Sequence, residues 1–102
     1  MNEIYYVYVL LSEKDGDLYT GYTNDLKDRV NKHNNGDVQS TKHRTPLTLI
    51  YYESCLNQTD AIKREKKLKT TWGKRYLKSR LENYFKEFAE SRRRLKPIYH
   101  SF

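Results

Sequence analysis

The sequence predicts an α/β fold of the α+β kind, with a three-stranded antiparallel sheet flanked by helices in the order β-β-α-β-α-α. Two observations support this prediction. Runs rich in aromatic and β-branched residues, typical of strands, occupy residues 4–11, 18–23 and 47–54. Runs with a helical apolar repeat, separated from the strands by turn residues, occupy about residues 25–34, 60–70 and 74–92.

The strand assignments follow from run length and turn chemistry. Residues 4–11 form an uninterrupted apolar run, which predicts a central strand that is covered on both faces. Residues 14–17 read Lys-Asp-Gly-Asp, a turn in which Gly16 can adopt a positive φ. Residues 18–23 then return as the second strand of a hairpin, and residues 47–54 form the third strand.

The first helix has start and stop signals. Asn24 or Asp25 can accept the hydrogen bond that caps its amino end. Leu26 and Val30 lie four residues apart and give the helix an apolar stripe. Gly36 is placed to end the helix in a left-handed conformation.

The second helix, capped by Asn57 or Thr59, contains an acidic residue in its apolar arc. On a helical wheel, Glu65 falls within the same narrow arc as three apolar residues, namely Ala61, Leu68 and Trp72. A carboxylate on a buried face is costly unless it binds a cation or another hydrogen-bond partner. Glu65 is therefore either a ligand of a cation or one half of a buried pair with a lysine or arginine.

The remainder of the chain predicts one more helix and a tail. Gly73 interrupts the helical pattern, and a third helix follows over about residues 74–92, with an apolar side formed by Leu77, Leu81, Tyr84 and Phe88. Arg92 begins a basic segment. We therefore expect one domain over residues 1–91 and a basic carboxy-terminal tail over residues 92–102.

Composition indicates a polyanionic partner. The chain of 102 residues has 20 Lys and Arg against 13 Asp and Glu, a formal charge of +7, which favours nucleic acid as its partner. Cys55 is the single cysteine, so no intramolecular disulfide is possible, and this fits a reducing compartment. The amino-terminal run resembles neither a signal peptide nor a membrane span, and we expect a cytoplasmic protein without a membrane partner.

The candidate site residues converge on the junction between the hairpin and the first helix. Arg29 and His33 lie four apart on one helix face. A strand, a turn and a helix with a cation and an imidazole at the junction are typical of a phosphate site. Tyr8 and Tyr19 lie on neighbouring strands and come close if both point to the same face. Glu65 supplies an inward carboxylate.

Each of these residues also has a structural interpretation. The two tyrosines can be core aromatics with bonded hydroxyls. Arg29 can pair with Asp25 or Asp28 on its own helix, and His33 can be a core histidine. The polar loop over residues 37–45 is either a solvated connector, which we favour, or a flexible contact to phosphates. We expect nucleic-acid contacts from four cations, namely Lys42, Arg44, Lys63 and Lys69.

At these residues the chain resembles the GIY-YIG nuclease superfamily. Tyr6-Val7-Tyr8 is similar to the first motif, with Tyr6 for the usual glycine and valine for isoleucine, and Tyr19-Thr20-Gly21 is similar to the second, with threonine for isoleucine. An arginine ten residues after the second tyrosine, a histidine one turn later and an Ala-x-x-x-Glu helix complete the set. The resemblance covers about residues 4–78. It is strongest to the small stand-alone branch, which is similar to the first domain of the nuclease component of bacterial excision repair.

The resemblance implies a metal-dependent phosphodiesterase. Glu65 would hold one divalent ion, Mg²⁺ or Mn²⁺, and Tyr8 would be the general base or would position the attacking water. Tyr19 would assist it, Arg29 would stabilise phosphate charge and His33 would aid proton transfer. Since a free phenol has a pKa near 10, Tyr8 needs nearby cations, such as Arg29 and the ion, to lower that value.

The family often has an asparagine on the third helix that contacts the site. Here Arg80 lies at about that position, and Asn83 is a less well placed substitute. We expect an endonuclease that acts on DNA, with a preference for particular DNA structures and no small-molecule cofactor. The alternative is a DNA- or RNA-binding module with weak or no catalysis.

Overall fold

The computed structural model describes the backbone of residues 3–100 and the side chains of residues 3–93. It confirms the α+β class and adds one helix to the predicted order. The elements, in chain order, are β1 (Tyr5–Ser12), β2 (Leu18–Thr23), α1 (Leu26–Asn34), β3 (Leu47–Cys55), α2 (Gln58–Leu68), α3 (Thr71–Arg80) and α4 (Glu82–His100).

The sheet is antiparallel with strand order β2-β1-β3, so β1 is central as predicted. In the β1–β2 register, Tyr8 lies opposite Gly21 and Leu10 lies opposite Tyr19. This register places the Tyr8 and Tyr19 side chains on the same face of the sheet. An irregularity between Val9 and Leu10 shifts the pairing of β1 with β3.

The two faces of the sheet pack against different helices. Val7 and Val9 point to one face and form a buried cluster with three helical residues, namely Ala61, Leu68 and Leu77 of α2 and α3. Tyr8 and Leu10 point to the other face and pack against Leu26 and Val30 of α1. The alternation along β1 thus explains why its apolar run has no polar interruption.

The structure decides the capping alternatives. Asp25 caps α1 by accepting a hydrogen bond from the Asp28 amide. Asn57 caps α2 in the same way, and Thr59 lies within that helix. Gly16 and Gly36 both have positive φ, as predicted.

The predicted third helix is in fact two helices. It begins at Thr71, so Gly73 lies within α3 rather than before it, and Leu81 then separates α3 from α4. No glycine or proline marks Leu81, so this break has no local sequence signal. The backbone of α4 continues past Arg92, where we predicted the basic tail, and the side chains after residue 93 lie outside the described residues. Among the described residues, no helix has the length and apolar character needed to cross a bilayer.

The loop over residues 37–45 is largely exposed, as the favoured interpretation expects, but two of its residues anchor it to the domain. Val38 and Thr41 are buried. The Asn34 side chain at the end of α1 accepts a hydrogen bond from the Leu47 amide and donates one to the Leu47 carbonyl. The end of α1 is therefore tied to the start of β3 across the loop.

We expect Gly73→Ala to lower the free energy of unfolding by about 2 kcal/mol, because an added Cβ would overlap the Leu68 backbone. Alanine on its own favours a helix, so a loss of stability can only come from this overlap. Urea unfolding measures the effect, with Ser79→Ala at an exposed position of α3 as the control. Equal stability of Gly73→Ala and the native chain would show that α2 and α3 do not meet this closely.

Candidate active site

Three aromatic rings meet between β1, β2 and α1. The Tyr8 and Tyr19 ring centroids are 6.4 Å apart, and the His33 ring lies 5.6 Å from Tyr8 and 5.1 Å from Tyr19. The Tyr8 hydroxyl is 2.8 Å from His33 Nε2. The structure therefore brings together the two tyrosines and the histidine that the sequence predicted.

Gly21 makes room for this cluster. A Cβ added at Gly21 would lie 2.5 Å from the Tyr8 hydroxyl oxygen and 2.7 Å from Tyr8 Cζ. No side chain fits at that position without displacing the phenol. The glycine of the Tyr19-Thr20-Gly21 motif is thus needed because the Tyr8 ring lies directly over the β2 backbone.

Arg29 is directed to the tyrosines and not to the acids of its own helix. Its Nε donates a hydrogen bond of 3.4 Å to the Tyr8 hydroxyl. That contact raises the pKa of Arg29, and Tyr19 adds to the rise. Asp28, one of the alternative partners, pairs with Lys32 instead. Arg29 therefore brings a permanent positive charge to the hydroxyl of Tyr8.

Thr41 holds the other side of His33, a contact that sequence analysis missed. His33 Nδ1 is 2.8 Å from Thr41 Oγ1, and both residues are fully buried. Each ring nitrogen of His33 therefore faces one hydroxyl, and in the tautomer with Nε2 unprotonated Tyr8 donates to Nε2 and His33 Nδ1–H donates to Thr41. Nothing in the sequence marks Thr41, since its role depends on the fold of the loop.

His33 is neutral near pH 7. Burial, assisted by the positive charge of Arg29, lowers the pKa of His33 to about 4. A neutral imidazole with Nε2 unprotonated can accept a proton from the Tyr8 hydroxyl. With a pKa of about 4, however, His33 is a weak base in the free protein.

The low pKa of His33 predicts a pH dependence of stability. The unfolded chain binds the His33 proton below about pH 6.5, whereas the folded chain binds it only near pH 4. The stability that depends on a neutral His33 is therefore fully present above pH 6.5. It falls by about 3 kcal/mol as the pH is lowered to about 4. Urea unfolding at several pH values in this window measures it. The His33→Gln variant should show a smaller loss of stability over this range, and an unchanged pH slope in that variant would contradict a buried neutral His33.

We expected nearby cations to lower the pKa of Tyr8, and for the protein without metal or DNA this expectation is wrong. Burial raises the pKa of Tyr8, and this outweighs the lowering by the hydrogen bond and charge of Arg29. Tyr19 and Glu65 raise it further. Tyr8 is only 1% exposed, so its hydroxyl stays protonated in the free protein.

Glu65 lies where the helical wheel placed it, on the buried flank of α2 beside Ala61 and Leu68. Its side chain is 17% exposed, and its closest cation is Lys69 at 3.6 Å, one turn later on the same helix. Its charge also raises the pKa of Tyr8. Trp72 is different: it is 45% exposed, because α2 ends at Leu68 and the wheel does not continue into α3.

The donor set fits a divalent ion only with ligands from water and substrate. Within residues 3–93, no three His, Cys, Asp or Glu side chains come together as a metal cluster. Near Tyr8 there is the single Glu65 carboxylate, and its partner Lys69 is half exposed and loosely held. Mg²⁺ commonly binds through one carboxylate and substrate phosphates while keeping several waters.

The four predicted nucleic-acid contacts have different surroundings. Arg44 forms a two-point ion pair with Asp15, with Nε 2.8 Å from Oδ2 and Nη2 3.2 Å from Oδ1. Its guanidinium lowers the pKa of the Asp15 carboxyl. Lys42 and Lys63 are exposed, and Lys69 adjoins Glu65. Arg44 thus also fastens the loop to the hairpin turn, and its role toward nucleic acid stays a prediction.

Sequence analysis missed a basic groove along α3. A cleft of about 230 Å³ is lined by Tyr19, Lys69 and Lys74 among others, and a second cleft of about 520 Å³ by Lys74, Lys78 and Arg44. Leu18 and Lys74 line both clefts, so the two clefts are adjacent, and we refer to them together as the basic groove; its smaller cleft reaches Tyr19. The signal in the sequence was the spacing of four between Lys74 and Lys78, which places both on one helix face.

No contact assigns the role of the family asparagine to a residue of this chain. Arg80 is exposed at the end of α3, and Asn83 is exposed in the first turn of α4. Within the described side chains, neither makes a hydrogen bond or an ion pair.

One protein-family model matches most of this chain. The GIY-YIG catalytic domain matches residues 4–80 of this chain. UPF0213 proteins of Staphylococcus saprophyticus and Staphylococcus epidermidis are each 45% identical over 67 residues, which is 65% of this chain and 80% of each relative. The solution NMR structure of the UPF0213 protein BH0048 from Bacillus halodurans is 34% identical, with a TM-score of 0.47, and covers 74% of this chain and 83% of that one.

Proposed function

We propose that this chain, which belongs to the GIY-YIG nuclease family, is a metal-dependent endonuclease that cuts DNA at branched or partly unpaired structures. Family membership implies nuclease chemistry and a nucleic-acid substrate. The choice of DNA, the metal ion and the structural preference are our proposal.

One observation supports catalysis above all others. The Tyr8 hydroxyl lies between a neutral histidine nitrogen at 2.8 Å and an arginine nitrogen at 3.4 Å, with a carboxylate near enough to affect its pKa. A purely structural tyrosine needs one hydrogen-bond partner and no cation. Here the phenol has both a proton acceptor and a positive charge, the two groups that proton transfer through a tyrosine needs.

The geometry supports a proton relay during hydrolysis. As water attacks the phosphorus and the bond from phosphorus to the leaving oxygen breaks, the proton of the water passes to the Tyr8 oxygen and the Tyr8 proton moves to His33 Nε2. The pKa of His33 rises from about 4 in this complex because the bound phosphate offsets the charge of Arg29. Tyr8 thereby never exists as a free phenolate, which is consistent with its raised pKa. Arg29 stabilises negative charge on the phosphoryl oxygens, and the leaving oxygen takes a proton from solvent.

Glu65 would hold the divalent ion, Mg²⁺ or Mn²⁺. When bound, such an ion supplies charge stabilisation for the phosphoryl group and the leaving oxygen. Because Glu65 supplies a single carboxylate, phosphate oxygens of the DNA would be needed to complete the coordination shell of the ion. We therefore expect the ion and the DNA each to raise the affinity of the protein for the other.

The basic groove supports the placement of DNA. Its smaller cleft contains Tyr19 and its larger cleft contains Lys74, Lys78 and Arg44, so a phosphate backbone along both would pass the Tyr19 ring, which lies 6.4 Å from the ring of Tyr8. A single domain of this size has little surface for reading a long base sequence, which favours recognition of DNA structure.

The test is cleavage of labelled DNA by the full chain. Flapped, forked, nicked and plain duplexes are incubated with Mg²⁺ or Mn²⁺, and with EDTA. We expect metal-dependent cutting of at least one branched substrate, with less cutting of the plain duplex. Lack of cleavage on every substrate with both ions would contradict the proposal.

A second candidate is a nucleic-acid-binding module without catalysis. The burial of Tyr8 favours this candidate, because it limits the access of water to the hydroxyl. The lack of a cluster of three metal ligands among the described residues favours it too, because it weakens metal binding. In that case Tyr8→Phe and Glu65→Ala would keep their affinity for DNA or RNA, and no variant or native chain would cut.

A further inference from the structure

An exposed tryptophan in the first turn of α3 contacts two cations of α2. Trp72 is 45% exposed, and its ring stacks on Tyr76 with centroids 5.5 Å apart and planes 12° from parallel. Tyr76 in turn packs on the buried cluster of the sheet. The indole is thus a partly exposed flat surface that is supported by Tyr76.

Cations surround this ring. Lys67 Nζ is 4.9 Å from the Trp72 ring centroid, and Arg64 Cζ is 5.7 Å from it. Arg64 is fixed by a two-point ion pair with Glu53, with both distances 2.8 Å. Lys67, by contrast, has no carboxylate partner among the described side chains and can move from the ring to another anion.

The charge beside the ring is positive. Lys67 of α2 is exposed and lies over the ring, and Arg75 is exposed three residues after Trp72 on α3. The nearby acid Glu53 is already neutralised by Arg64. A flat aromatic surface set among cations fits a ligand with a planar ring and a polyanionic backbone. A purely hydrophobic protein partner would need a wider apolar surface than one indole and its neighbour.

The cations beside the Trp72 ring and the Glu65 carboxylate lie on two sides of the same helix. On α2, Arg64 and Lys67 lie on one side of the buried stripe formed by Ala61 and Leu68, and Glu65 lies on the other. The two sides of one helix are about 10 Å apart, a distance that roughly three stacked nucleotides span. A single strand that crosses α2 can therefore contact both.

We propose that Trp72 is a stacking platform for an unpaired base of the DNA substrate, with Lys67 moving to the adjacent phosphate. This inference rests on the proposed nuclease function and specifies its substrate as DNA with a single-stranded tail or branch. The structural alternative is that Trp72 and Tyr76 of α3 only pack against Arg64 and Lys67 of α2.

Trp72 is the only tryptophan of the chain, so its fluorescence reports the platform directly. We would titrate the full-length Glu65→Gln chain, without divalent ions, with three duplexes. One has a six-thymidine tail, one has a tail of six abasic sites with the same phosphates, and one is blunt. We expect strong quenching by the thymidine tail and little by the other two, because only bases stack on the indole.

Affinity is measured on the same duplexes, fluorescently labelled at their blunt end. Trp72→Ala should weaken binding of the thymidine tail about tenfold, the effect typical of one lost base–aromatic stack, and leave the abasic tail unchanged. Trp72→Phe should keep most of the affinity. Leu56→Ala, which removes another exposed apolar side chain (61% exposed), is the control and should change neither.

Equal quenching by the thymidine and abasic tails, or an equal loss of affinity for both in Trp72→Ala, would overturn the inference. Binding of heparin with the same quenching would do so as well, because heparin has charge but no bases. If Trp72→Ala fails to fold, the fluorescence titration, which keeps Trp72, and the affinity of the Trp72→Phe variant still test whether a base stacks on the ring. None of these measurements requires cleavage, so failure of the platform and failure of the nuclease proposal are distinguishable.

Discussion

Glu65→Gln should reduce DNA cleavage about a thousandfold, because it removes the carboxylate whose charge acts on Tyr8 and which, in our proposal, holds the divalent ion. Glutamine keeps the size and the polar character of the side chain. The rate is measured on the branched duplex that the native chain cuts best, under saturating Mn²⁺ and at single turnover.

The fold of the Glu65→Gln variant should be intact, since the pair with Lys69 is long and its lysine is half exposed. Glu87→Gln on the exposed part of α4 makes the same change of charge away from the site and is the matched control. If Glu65→Gln and Glu87→Gln both cut like the native chain, Glu65 holds no ion.

Tyr8→Phe should reduce cleavage by about a hundredfold or more, the usual contribution of a residue that transfers a proton in the transition state. The phenyl ring still fits over Gly21, but Arg29 and His33 lose their shared hydrogen-bond partner. We also expect a loss of stability of about 1–2 kcal/mol, because His33 Nε2 is left buried without a hydrogen bond. Single-turnover cleavage and urea unfolding measure the two effects separately.

Tyr22→Phe is the control for the Tyr8 variant. Tyr22 is a half-buried tyrosine of β2 that packs on the opposite side of the sheet. Its hydroxyl makes no hydrogen bond among the described side chains, so its removal should affect neither cleavage nor stability. Native rates in Tyr8→Phe would mean that the hydroxyl is structural, whatever the role of Glu65.

The sequence was most informative where a local repeat determines the direction of a side chain. The spacing of Glu65 from Ala61 and Leu68 predicted its inward orientation, and the spacing of Arg29 and His33 predicted a shared face. The uninterrupted run in β1 predicted its central position. These inferences need only the helical or strand period.

The sequence was less informative where a contact joins distant segments or where one element ends. Trp72 was assigned to the buried arc because the wheel was continued past the end of α2. From the sequence, Arg44 was available for phosphate, but Asp15, 29 residues earlier, holds its guanidinium. Thr41 contacts His33 only because the loop folds back onto α1. Such contacts depend on tertiary packing, for which no local pattern exists.

The raised pKa of Tyr8 shows the same limit in energetic terms. From the sequence, a nearby arginine suggested a lower pKa, and the arginine is indeed in place. The extent of burial, which is the larger influence, is known only from the structure. This is why we propose proton transfer through Tyr8 to His33 and not a phenolate that exists before the reaction.

The central claim is that Tyr8, Arg29, His33 and Glu65 form one site that acts on one phosphate. A crystal structure of the full chain bound to a branched DNA with a non-hydrolysable phosphorothioate and Mn²⁺, with anomalous diffraction from the metal, tests it most directly. We predict an anomalous peak coordinated by Glu65 and by an oxygen of the phosphate that contacts Arg29. A metal peak away from Glu65, or a DNA backbone that passes the protein without approaching Tyr8 and Arg29, would contradict the account.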